Sequence, residues 1–182
     1  DIRVRKAIDM AIDREGFVNH LLAGHGEIAV GPFPKALPFG ASHVHGVSYQ
    51  ADEARKLREE AGWKDTDGNG YVDQDGKDLT IRWLTYPGRM ELPALAELVQ
   101  DNLKRIGIKV DVECSSDHLK VLETGNYDVY ASALVTAPTG DPEYFFHTCA
   151  LDQSTKNRGF YHNDRLEALA KEMHQTLSLI HI

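Results

Sequence analysis

Aspartates and histidines are the side chains in this sequence whose spacing is best suited to chemistry. Asp65-x-Asp67-x-Asn69-Gly70-x-x-Asp73 opens like a calcium-binding loop, since alternate oxygen donors around a turn glycine can enclose a hard cation. The twelfth position, where a bidentate glutamate would close the shell, is Gly76. The next segment, from Leu79, reads as a strand, not a helix. The loop is therefore expected to hold calcium poorly, and a hairpin rich in turn formers is the plainer reading. A calcium-stabilised structural module is the alternative function it would support. Nine histidines raise transition-metal binding. His43-Val44-His45 would set alternate imidazoles on one side of an extended segment, with His20 and His25 upstream, and imidazole suits nickel, copper or zinc. Neither group falls in a recognised ligand pattern, so exposed loop histidines are the competing expectation.

Catalytic patterns are missing. There is no G-x-S-x-G elbow and no HExxH, and Gly24-His25-Gly26 lacks the strand before and helix after that a phosphate loop needs. The chain is expected not to be an enzyme and to carry no cofactor; a hydrolase using loop His and Asp residues is the weakest alternative. Cys114 and Cys149 lack CxxC spacing, so two free, buried thiols are expected.

The elements that must position these groups come from periodicity. Val4, Ala7, Ile8, Ala11, Ile12, Val18, Leu21 and Leu22 recur at helical spacing, broken near Gly16, with Asp13 as an N-cap. Residues 24–50 hold too many Gly and Pro for a regular element and read as a long loop. A helix over 52–61 is expected with Asp52 as its cap and Gly62 as its stop. Asp75-Gly76 predicts a hairpin turn. Then come a strand over 79–86, a helix over 92–106, a strand over 108–114, a short helix over 117–124 and an apolar strand over 127–134. That last strand is expected in the middle of the sheet, and a final helix from Asp164 to Leu179.

Strand, helix, strand, helix, strand in succession predicts an α/β fold: a three-layer-like lobe whose mixed, largely parallel sheet is flanked by helices. In such sheets ligands sit beyond the carboxyl ends of the strands. That places the candidate ligand loop at Thr136, Ala137, Pro138, Thr139, Gly140 and Asp141, directly after the last strand. Asp141 precedes Pro142 and suits a helix cap better than a ligand contact, with Tyr144, Phe145 and Phe146 going to the core.

The 182 residues suit one domain, and 20 Lys+Arg against 28 Asp+Glu give a net charge of −8. An acidic balance disfavours nucleic acid and anionic membranes as partners, and no apolar run is long enough to insert in a bilayer. The first residue is Asp1 and no export segment is visible. Leu177, Leu179, Ile180 and Ile182 form an uncapped apolar end, as a truncated or non-native tail at 180–182 would.

Several short motifs occur together in order. They are Val4-Arg5-Lys6-Ala7-Ile8 with Ala11-Ile12-Asp13-Arg14-Glu15, Pro32 and Pro34, Glu60-Ala61-Gly62-Trp63 before an Asp/Gly hairpin ending in Gly76-Lys77, Ile106-Gly107-Ile108-Lys109-Val110, Gly125-Asn126-Tyr127-Asp128 and Gly140-Asp141-Pro142. Together they resemble the C-terminal lobe of peptide/nickel-type (family 5) solute-binding proteins. The resemblance implies a type II periplasmic-binding-protein-like lobe over residues 1–182, acting outside the cytoplasm, periplasmic or lipid-anchored. It also implies an N-terminal lobe and a returning segment outside this chain, a membrane permease of an ABC importer as partner, and a short peptide or a nickel or other metal chelate as transported ligand. Peptide-type members hold the peptide amine with an acidic residue in this loop, where Asp141 falls. Nickel-type members share the Ala137-Pro138 loop and place a histidine shortly after it; His147 is near but out of register. His43, His45 and His147 are the candidate metal ligands.

Overall fold

The computed structural model describes residues 1–40 and 44–177. His43 and the tail residues 180–182 lie outside the described residues. The chain divides into two compact units: Asp1–Ile28 with Val47–Ala133, and Ala29–Gly46 with Leu134–Ile182.

In the first unit, α1 (Ile2–Ala11) begins at Asp1, whose carboxylate accepts from Arg3 N. Asp13 caps the next turn, α2 (Arg14–Gly16), by accepting from Gly16 N at 2.8 Å. The backbone then widens into a π-helical turn over Phe17–Leu21, closed by Leu22 N to Phe17 O. Helix α3 (Ala51–Glu60) is capped by Gln50 rather than Asp52. Gln50 N donates to Met10 O at 2.8 Å, which fixes the chain against α1 and starts the helix early. Asp52 instead sits in the first turn and pairs with Arg55.

The expected hairpin is present. Strand β1 (Asp73–Gln74) pairs antiparallel with β2 (Lys77–Asp78), and Asp75 and Gly76 both take positive φ, 54° and 71°, as a two-residue primed turn requires. Strand β3 (Thr80–Thr85), helix α4 (Glu91–Lys104), strand β4 (Lys109–Cys114), helix α5 (His118–Thr124) and strand β5 (Val129–Tyr130) come next. Thr80 pairs with Lys109 through to Thr85 with Cys114, and Trp83 and Leu84 pair with Val129 and Tyr130, all parallel. The order is β4-β3-β5. The apolar run at 127–134 is therefore an edge strand, not the central one. Only residues 128–131 bond to β3; beyond them the chain leaves the sheet, and Leu134 and Val135 are exposed. Its apolar composition reflects that departure and the aromatic packing of Tyr130, not burial between two strands.

One face of β3, with Ile81 and Trp83, joins Val110, Ala96, Val99, Leu103, Ile106 and Ile108 from around α4, and Ala7, Ala11 and Ala54 from α1 and α3, in a single core. Each fully buried Leu or Ile there contributes about 1.5–3 kcal/mol. Buried Asn102 of α4 accepts from Asp13 N at 2.8 Å, so the α1–α2 junction is bonded to α4. Cys114 and Cys149 are free as expected, but neither is buried: Cys149 is half-buried and Cys114, which closes an edge strand, is exposed.

In the second unit, Phe33 packs edge-on against Phe39, Phe145 and Phe146 with ring centres 5.0–5.9 Å apart, joining its two chain segments. Helix α6 (Glu143–Phe145) runs into a second π-helical turn over Phe146–Ala150, and α7 (Asp164–Leu177) is started by Asn163, whose Oδ1 accepts from Leu166 N.

Candidate functional site

All three strands of the parallel sheet end at the same edge, so the residues just past them form a surface no single stretch of sequence contains. Tyr86 comes directly after β3, Tyr130 ends β5 and His118 opens α5. The Tyr86 and His118 rings stack at 4.3 Å with 21° between planes, and His118 lies 6.0 Å from Tyr130. Ala133 N donates to the Tyr86 hydroxyl at 3.3 Å. Thr85, fully buried, donates from Oγ1 to Ala131 O at 3.1 Å, which holds the chain after β5 in place. His118 Nδ1 is buried with no hydrogen-bond partner among the described residues. The three rings form an aromatic shelf at the strand ends against which a planar group can pack. Sequence reasoning applied the carboxyl-end rule to the last strand alone; applied to every strand it finds Tyr86 and His118 as well.

The amino end of β5 is held differently. Asp128 accepts from Arg82 Nε at 3.0 Å, Nη2 at 2.7 Å and backbone N at 2.8 Å, and Arg82 Nη1 reaches Asn126 Oδ1. Hydrogen bonding from Arg82 holds the Asp128 carboxyl below its ordinary range.

The predicted ligand loop lies in the second unit. Thr136 and Ala137 are half-buried, while Pro138, Thr139 and Gly140 are exposed. The loop is a turn closed by Gly140 N to Ala137 O at 3.1 Å, with Gly140 at φ 77°. Asp141 Oδ1 accepts from Glu143 N at 2.9 Å, the helix-starting contact expected of it. Phe145 and Phe146 are half-buried in the phenylalanine cluster, but Tyr144 is exposed, so only part of that triplet enters a core.

Of the metal candidates, His45 is exposed and belongs to neither donor cluster found among the described residues. His147 does belong to one. Its Nε2 lies 3.1 Å from Glu143 Oε1, which also contacts His174 Nδ1. Sequence reading missed Glu143 and His174; the i, i+4 spacing of Glu143 and His147 was the available signal. The second cluster, Asp65, Asp67 and Asp73, gathers as the loop pattern suggested. Its oxygens serve the turn itself: Asp65 accepts from Gly68 N and Gly70 N. Buried Asp73 accepts from Thr66 N and Oγ1, which hold its carboxyl below the usual range.

The sequence profile described as "Bacterial extracellular solute-binding proteins, family 5 Middle" matches residues 1–157. The chain is 31% identical to the oligopeptide-binding protein AppA of Bacillus subtilis, over 94% of this chain and 33% of that protein. It is 27% identical to the nickel-binding protein NikA of Staphylococcus aureus, over 97% of this chain and 34% of that protein. In structure it resembles Bacillus subtilis AppA in complex with a nonapeptide, with a TM-score of 0.75 and 28% identity over 94% of this chain and 35% of that one. It likewise resembles Staphylococcus aureus NikA in complex with Ni(L-His)2, with a TM-score of 0.81 and 26% identity over 93% of this chain and 34% of that one. The chain thus spans about a third of the length of the relatives it matches. No helix among the described residues is long and apolar enough to cross a membrane.

Proposed function

Because this chain belongs to the bacterial extracellular solute-binding proteins of family 5, we propose that it is a ligand-binding lobe of a receptor delivering a short peptide or a nickel chelate to an ABC importer. The family is one of binding proteins, and the Bacillus subtilis and Staphylococcus aureus relatives bind an oligopeptide and nickel. One observation carries the reading: the family match runs through the parallel sheet whose carboxyl ends carry the Tyr86–His118–Tyr130 shelf. Such edges are where open α/β folds take ligands. The turn from Thr136 to Asp141, in the second unit, is a separate candidate contact region. The ligand would be gripped between this lobe and the remainder of the receptor, outside the cytoplasm, with a permease as the membrane partner.

Calorimetric titration of the protein carrying this chain, with short peptides and with Ni2+ in the presence of L-histidine, tests the reading. Saturable binding of one of them is expected; binding of neither overturns it. Asp141→Asn separates the two cargoes. It keeps an oxygen for Glu143 N and removes the charge, so it weakens binding of a peptide amine by about tenfold or more and leaves an Ni(L-His)2 complex unaffected.

A further inference from the structure

We propose that Glu143, His147 and His174 form a separate site that binds a divalent transition ion of the zinc type directly through protein side chains. Glu143 and His147 stand one helical turn apart where α6 passes into its π-helical turn. His174 comes from α7, which packs against α6. One donor atom from each lies within 4.8 Å of the other two. The two imidazole rings meet at 73° with centres 5.9 Å apart, so they converge on the carboxylate instead of stacking face to face. Glu143 is held in, with 18% of its side chain exposed, while the imidazoles are 50% and 71% exposed. A hydrated ion can therefore reach all three.

The donor chemistry selects the ion. Two imidazole nitrogens and one carboxylate oxygen are a set zinc accepts with water as fourth ligand, whereas magnesium and calcium prefer shells of oxygen. Tetrahedral zinc at ordinary bond lengths sets its donors about 3.3 Å apart, close to the 3.1 Å between His147 Nε2 and Glu143 Oε1. None of the three residues belongs to the aromatic shelf or to the 136–141 turn, although Glu143 N donates to Asp141 Oδ1 at the end of that turn.

Titration of the full chain with Zn2+ alone should show one saturable site that Mg2+ does not compete for. His147→Gln and His174→Gln should each weaken it by at least the roughly 10–100-fold that loss of an outer-shell partner costs. Asp65→Asn should leave it unchanged. In the unmutated chain Co2+ should give the intense visible spectrum of a tetrahedral centre, a readout independent of how the variants fold. No saturable Zn2+ uptake, affinity unchanged in His174→Gln, loss of the site in Asp65→Asn, or a six-coordinate Co2+ spectrum would each overturn the proposal.

Discussion

His162 sits between two carboxylates, with Nδ1 2.8 Å from Asp152 Oδ2 and Nε2 3.3 Å from Asp164 Oδ1. The hydrogen bond to Asp152, then the charges of Asp152 and Asp164, raise its pKa. A raised folded-state pKa gives stabilisation that is fully present below the unfolded value and is lost as pH rises through the folded one. An NMR titration of the ring is expected to show a midpoint above 6.5, and Asp152→Asn should return it toward that value. This pairing was invisible in the sequence, where His162 was one of nine undistinguished histidines. The same holds for His174. Asp13 and Asp141, by contrast, were readable in advance, because each caps a backbone N–H two or three residues away, and such contacts depend only on local chain geometry.

Helix α4 shows how far an element is specified locally. Its apolar stripe and terminal Gly107 predict its extent to within two residues. The end closes as a Schellman-type turn, with Ile108 N bonding Leu103 O and Gly107 N bonding Lys104 O. Gly107 takes φ 75°, and a Cβ there would meet Val72 Cγ1 at 3.0 Å. Gly107→Ala should therefore lower stability in urea melts by about 1–2 kcal/mol from the left-handed backbone alone, with the Val72 contact adding to it. Asn102→Ala should cost about 1–3 kcal/mol, since it leaves Asp13 N without its acceptor. Strand β5 is the contrasting case. Its apolar run looked central because composition reports how much apolar surface a segment carries, not which neighbour covers it. The neighbour is set by strand order, and β3 takes the middle by pairing on both sides.

For the whole molecule, a net charge of −8 attracts cations in general, but the Asp65–Asp73 loop gives no reason to expect tight calcium binding. Its carboxylates already bond backbone N–H groups of their own turn, and Gly76 stands where the closing glutamate would be. The melting temperature of the chain should be unchanged by added calcium; a rise would restore the calcium-module alternative. The sequence by itself determined the element order, the parallel sheet, the hairpin turn and the family, because periodicity, turn chemistry and motif order are properties of neighbouring residues. Tertiary structure alone decided the strand order, the Tyr86–His118–Tyr130 shelf and the meeting of Glu143 with His174 across 31 positions of chain. Those groups come from separate elements, and only packing those elements together brings them within reach of one another.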